Sequence, residues 1–236
     1  MSHLFLVPLQ SVTDDSDWIG LLGTSEQLRL ARYQGRRRQQ FLLGRALLRL
    51  ALSQVVDDRR SPEQWQITEQ EDLPPAVADT GAWHFSLSHS RELIAVLLSD
   101  SGPCGVDLEF CKPRKDFAAL AEGWFHPLEI ADLQSQVPAM QTETFYRLWT
   151  LKEAWLKTRQ LSLFSGAMSK VRFAAAHVGC ACCTTLPRQQ GGEYSVAVIT
   201  AQPETVSAVY GLSADDTHPL PLSWQTFAPL VNHQSV

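Results

Sequence analysis

Residues 93–99 and 105–110 are two short strand-like runs separated by Asp100-Ser101-Gly102-Pro103-Cys104, a string that favours a turn over continued helix or strand. Near the middle of a 236-residue chain, this break constrains the fold more than any other feature. It marks off an N-terminal half, 1–102, and a C-terminal half, 103–236, each within reach of the roughly 100–200 residues of one domain. In the first half, hydrophobic periodicity predicts a strand at 4–8, helices at 25–33 and 37–56, and strands around 83–88 and 93–99. In the second it predicts a strand at 105–110 and helices at 117–123, 127–134 and 142–158. Strands follow at 170–174, 194–200 and 206–211, before a Pro-rich tail from His218. Residues 61–80 read as loop around a short strand at 65–67, and 134–141 as loop. The expected class is α+β, with a similar strand–helix–strand order in the two halves.

Hydrophobic residues make up 44% of the chain and charged residues 19%, the balance of a folded rather than a disordered protein. Twenty Lys and Arg stand against 25 Asp and Glu, and the net charge of −5 argues against a general nucleic-acid binder. No apolar run approaches the roughly 18 residues of a membrane span. No Lys or Arg precedes Arg29, so the basic start of a signal peptide is missing and the expected compartment is the cytoplasm. Three of five cysteines, Cys180, Cys182 and Cys183, crowd together with only His177 near, which favours reduced, partly buried thiols over a zinc site.

Four segments carry unusual residues. Seven arginines lie between Arg29 and Arg49, and no Asp or Glu occurs from Gln27 to Val56. At about 100° per residue, Arg38, Arg45 and Arg49 form one stripe suited to a polyphosphate, unless it is simply a solvated basic face. Trp83, Phe85 and Leu87 alternate as a buried strand face ending in Ser88-His89-Ser90, a donor-rich turn able to hold phosphate or an ordinary polar hairpin turn. In Gly105-Val106-Asp107-Leu108-Glu109 the period of two puts Asp107 and Glu109 on one face, roughly 6.5–7 Å apart. They suit one hard cation, or else form the wet face of an amphipathic strand. Finally, Phe145, Leu148, Trp149 and Leu156 share a helical stripe with Lys152 in its middle, while Glu153 and Lys157 lie at its edge. A surface pair explains Glu153 and Lys157 but leaves Lys152 unexplained, a lysine that must either snorkel or meet an anion.

Together these residues resemble a known family. Gly105-Val106-Asp107-Leu108-Glu109 and Trp149-Thr150-Leu151-Lys152-Glu153-Ala154-Trp155-Leu156-Lys157 are similar to the two signatures of the 4′-phosphopantetheinyl transferases, at the family's spacing. Leu42-Leu43-Gly44-Arg45, Phe85-Ser86-Leu87-Ser88-His89-Ser90, Phe125-His126-Pro127-Leu128-Glu129 and Tyr194-Ser195-Val196-Ala197-Val198 resemble flanking elements of its longer, Sfp-type branch. The resemblance implies two similar α/β subdomains related by a pseudo-twofold, with the active site in the cleft between them. It implies transfer of the 4′-phosphopantetheine arm of coenzyme A to a serine of an apo acyl or peptidyl carrier protein, with release of 3′,5′-ADP. Asp107, Glu109 and Glu153 would hold Mg²⁺, Lys157 would contact the phosphates, and Lys152 lies beside Glu153 in the same signature. Arg45, Ser88 and His89 would hold the 3′-phosphate end. The base for the serine proton stays open between Glu153, neutral Lys152 and a metal-bound water. The chain is expected to act as a monomer, apart from nucleic acid and membrane.

Three departures from the family pattern stand out: Asp72-Leu73-Pro74-Pro75 in place of a Gly-Lys-Pro, Ser86 in place of Asn, and Thr158-Arg159-Gln160 in place of a Gly-rich bend. Phe125, Leu128 and Leu133 are candidates either for a carrier-facing patch or for the core. Two other readings compete: a non-catalytic coenzyme A or nucleotide-binding module, and a metal-dependent phosphoesterase using the same carboxylates.

Overall fold

A computed structural model describes residues 1–11, 15–57, 59–69, 74–188, 191–211 and 218–231. In chain order the elements begin with β1 (Ser2–Pro8), α1 (Ser16–Gly20), α2 (Thr24–Leu30), α3 (Gly35–Val55), β2 (Ile67–Thr68), β3 (Ala76–Val77), β4 (His84–Ser90) and β5 (Leu93–Ser99). They continue with β6 (Gly105–Phe110), α4 (Phe117–Ala121), α5 (Pro127–Ser135), α6 (Pro138–Thr158), β7 (Val171–Ala175), β8 (Ala181–Pro187), β9 (Glu193–Ile199), β10 (Val206–Tyr210), β11 (His218–Pro219) and β12 (Gln225–Val231). The architecture is mixed α/β. Two units form, Met1–Gly102 with Thr205–Pro221, and Pro103–Glu204 with Leu222–Val236. The C-terminal half expected over 103–236 is therefore interrupted. Thr205–Pro221 joins the first unit because β10 pairs in parallel with β1.

The first unit carries a five-stranded sheet in the order β11-β10-β1-β5-β4. Leu43, Leu47, Ala51 and Leu52 recur at helical spacing on α3 and pack with Phe5 and Val7 of β1 and Ile94, Val96 and Leu98 of β5. Flanked by β1 and β4, strand β5 is buried at every position, which is why it reads as an unbroken apolar run. The β4–β5 hairpin pairs Ser90 with Leu93, so its turn is Arg91-Glu92, with Arg91 at φ +50°. Ser88-His89-Ser90 is thus the end of a strand and not the turn that its polar composition suggests.

In the second unit the sheet order is β6-β9-β8-β12-β7, and every pair is antiparallel. Helix α6 packs on β6, β9 and β8. Its Leu148, Leu151, Ala154 and Trp155 bury against Ala181, Cys183, Ala197 and Ile199. Pro138 occupies the first turn of α6, where a missing N–H costs nothing, so the helix starts within the stretch expected to be loop. At the other end, Gln160 at φ +53° takes the place of a glycine. Its N–H donates to Lys157 O at 3.2 Å and that of Leu161 to Leu156 O at 3.1 Å, closing the helix without a Gly-rich bend. All five cysteines are free thiols. Burial pushes those of Cys104 and Cys111 up to about 12, which keeps them uncharged. Among the described residues no helix is long and apolar enough to cross a membrane.

Candidate active site

Alternation along β6 turns Asp107 and Glu109 toward α6, which brings Glu153 to meet them. One oxygen from each of the three carboxylates lies within 4.8 Å of the other two. The acidic face is not the wet one that an amphipathic strand would show: Asp107 is 3% exposed, and Glu109 and Glu153 are half-buried. Gly105 makes this closeness possible. A Cβ there would stand 2.9 Å from the carbonyl carbon of Ala154 and 3.0 Å from Cγ2 of Thr158, so strand and helix backbones touch where any other residue would separate them. Lys157, one turn beyond Glu153, donates from Nζ to Asp107 Oδ1 and to Val106 O, both at 2.8 Å.

Burial lifts Glu153 to about 7, and the charges of Asp107 and Glu109 push the same way, against Lys157 and a hydrogen bond from Trp149. The donor set suits a hard divalent cation. Opposed ligands of Mg²⁺ span about 4.2 Å and those of Ca²⁺ about 5 Å, so the three carboxylate oxygens are already near coordinating separation. A pH dependence follows. Because the folded value lies above the ordinary 4.5, the destabilisation from Glu153 is absent below about 4.5 and complete above about 7. Denaturation without divalent cation should show stability falling from pH 5 to pH 8, with a shallower fall in Glu153→Gln. Equal slopes would contradict the assignment.

Lys152, grouped with the catalytic residues on sequence grounds, does not join the cluster. It is fully buried, and Nζ donates to Met168 O at 2.7 Å, Val171 O at 2.5 Å and Glu129 Oε2 at 2.7 Å. Glu129 accepts in turn from the N–H of Phe173 at 2.9 Å and of His126 at 3.1 Å. The anion that a lysine in an apolar stripe requires is therefore a buried glutamate of α5. The sequence left snorkelling and an anion as alternatives for Lys152, and it gave no sign of the partner. Glu129 sits at the third position of α5 within the Phe-His-Pro-Leu-Glu motif, where a helix-capping role was the readable signal.

Arg45, Ser88 and His89 stand on the first unit. Ser88 is buried and His89 exposed, on adjacent positions of β4. The arginine stripe is not free to grip a ligand as a whole. Arg49 is buried in a forked pair with Glu26, at 3.0 and 2.6 Å, and Arg38 pairs with Asp15. Arg45 forks onto Glu69 at 2.5 and 3.0 Å. Glu26 borders the acid-free segment, Asp15 and Glu69 lie well beyond it, and all three reach its helix through the fold. Phe125 and Leu133 are core residues, while Leu128 is 52% exposed. Asp72 and Leu73, the first of the departures from the family pattern, lie outside the described residues.

Comparison with known proteins agrees with the two signatures. The profile of the 4′-phosphopantetheinyl transferase superfamily matches residues 103–209. The 4′-phosphopantetheinyl transferase AcpT of Salmonella typhi is 40% identical over 126 residues, 53% of this chain and 61% of that protein. The chain thus spans about three fifths of that relative's length. A 4′-phosphopantetheinyl transferase of Bacillus subtilis is 32% identical over 171 residues, 69% of this chain and 74% of the relative. HetI of Nostoc sp., also a 4′-phosphopantetheinyl transferase, is 32% identical over 160 residues, covering 66% and 67%. The chain belongs to the 4′-phosphopantetheinyl transferase superfamily.

Proposed function

We propose that this chain transfers the 4′-phosphopantetheine group of coenzyme A to a serine hydroxyl of an apo acyl or peptidyl carrier protein. The observation that carries the reading is the convergence of Asp107, Glu109 and Glu153, one signature from β6 and the other from α6, with Lys157 at their side. These three carboxylates would hold Mg²⁺. When bound, the ion supplies positive charge to the diphosphate of the coenzyme and to its leaving group.

The serine oxygen forms a bond to the phosphorus that carries the pantetheine arm, and the bond from that phosphorus to the bridging oxygen breaks. That oxygen leaves on 3′,5′-ADP with its electron pair, and the serine proton passes to a base. We favour Glu153, or water beside it, over Lys152, whose ammonium is spent on Met168, Val171 and Glu129. Lys157 is placed to add charge on the phosphates. Arg45, Ser88 and His89 are retained as the residues holding the 3′-phosphate end, with Arg45 first giving up its contact to Glu69. A pseudo-twofold relation of the halves and a shared cleft are carried over from the resemblance. The likeness of the halves has support in that each unit packs a 21-residue helix on a five-stranded sheet. Action as a cytoplasmic monomer belongs to the same proposal.

Purified protein incubated with Mg²⁺ and coenzyme A should add a phosphopantetheine mass to an apo carrier protein. No shift across apo carriers from fatty acid, polyketide and nonribosomal peptide synthesis, with the protein folded, would overturn the proposal. Phosphopantetheine released without an acceptor would instead indicate a phosphoesterase.

A further inference from the structure

We propose that a recess in the second unit, bordered by Arg147 of α6, binds a small organic monocarboxylate with a short apolar tail. The site is independent of the proposed transfer reaction.

The recess measures about 250 Å³, room for roughly eight waters or as many ligand atoms. Its lining belongs wholly to the second unit, from α6, β8, β9 and the start of β12. Asp107, Glu109, Glu153 and Lys157 are not among the described residues that line it. Ser223 and Gln225 are exposed at its edge, so solvent reaches it.

The buried side of the recess has settled its own polar groups. Ser195 Oγ lies 3.0 Å from Thr150 Oγ1 and 3.6 Å from Cys183 Sγ, and Thr150 Oγ1 donates to Tyr146 O at 2.9 Å. Thr184 Oγ1 donates to Ser223 O at 2.8 Å. Burial pushes the Cys183 thiol up, which keeps it uncharged. What this side offers a ligand is the polarisable sulfur of Cys183 and Cys111, a surface for methylene or aromatic carbon.

Arg147 presents the opposite need. Among the described residues that line the recess it is the one cation, and Glu143 is the one anion. Glu143 Oε1 stands 3.6 Å from Arg147 Nη1, beyond hydrogen-bond distance, on a side chain 40% exposed. Such a loose contact one helical turn away contributes little. The guanidinium carbon lies 5.9 Å from the centroid of the Phe227 ring, which steadies the cation without giving it an acceptor. Arg147 Nε is closed to solvent and has no hydrogen-bond partner. A donor in that state is costly, and a carboxylate entering the recess relieves it once the guanidinium turns to meet both oxygens edge-on. One guanidinium balances one negative charge. A phosphate, at roughly −1.5 to −2 and beside Glu143, would leave charge unbalanced. An anionic head on Arg147 and an apolar tail on the two sulfurs together define a monocarboxylate.

The test is a two-dimensional NMR titration of the isotope-labelled chain with butyrate and benzoate, and in parallel with butyramide, benzamide and inorganic phosphate. At least one acid should bind saturably, with the largest amide shifts at Arg147, Cys183 and Ser195. It should bind at least about 10-fold more tightly than its own amide, and Arg147→Met should weaken it by a similar factor. Glu143→Gln should tighten it about 2-fold. If Arg147→Met fails to fold, the comparison of acid with amide in the parent chain decides. No saturable binding of either acid, equal binding of the amide, undiminished binding to a folded Arg147→Met, or shifts centred elsewhere would each overturn the inference. Phosphate bound as tightly as the acids would overturn it too, because the recess would then select charge and not a carboxylate.

Discussion

An Asp107→Ala chain is expected to lose about 1000-fold in turnover of an apo carrier protein, about 4 kcal/mol of transition-state stabilisation, while remaining folded. Asp107 is the most enclosed of the three carboxylates and the one that Lys157 holds directly. Its removal takes away one of the three clustered carboxylates and one of the acceptors of Lys157. Two neighbouring carboxylates are relieved of a like charge, so the fold gains some stability as the site is lost. Loss of a negative neighbour also lowers Glu153 from about 7 toward the ordinary carboxylate range. Transfer kinetics and a thermal melt on the same sample check both halves of the expectation. A non-catalytic coenzyme A binder predicts instead that the ligand still binds and nothing else changes. Transfer at the parent rate would remove the carboxylate cluster from the chemistry altogether.

The parts of this protein readable in its sequence are those where one short stretch determines its own outcome. Strands β5 and β6 declare themselves through an apolar run, a period of two and the Gly-Pro turn between them. Strands β8 and β12 do not. Cys180, Cys182 and Cys183 drew attention as thiols, though Ala181–Pro187 is a strand whose Ala181 and Cys183 are core residues. The Pro-rich tail hid Gln225–Val231, because a proline argues against an internal strand. Pro229 is tolerated since β12 pairs with β8 only over Gln225–Phe227, leaving one flank of its later residues open. Charge partners were less legible again. The arginine stripe was a correct projection of α3, but Asp15, Glu26 and Glu69 meet it only through tertiary folding. The three clustered carboxylates were named from their pattern, whereas the backbone contact at Gly105 that brings them together follows from no local rule.

That contact supplies the second large effect. Gly105→Ala is expected to destabilise the chain by about 2–4 kcal/mol and to weaken Mn²⁺ binding at least about 10-fold. Gly105 does not stand at positive φ, so an alanine has no backbone conformation to object to; what it lacks is room. Its Cβ would meet the carbonyl of Ala154, main-chain atoms of α6 that cannot rotate aside as a side chain would. The helix must therefore move off β6. Glu153 immediately precedes Ala154 on α6, so the displacement passes directly to the third carboxylate, and an error of about 1 Å at such a site costs about 100-fold in rate. Gly123→Ala is the matched control, since a Cβ there meets nothing within 4 Å. The two variants add the same methyl group to the same unit, and only one should lower the melting temperature and the Mn²⁺ affinity. If Gly105→Ala melts and binds Mn²⁺ as its control does, the close approach of strand and helix is not what assembles the site.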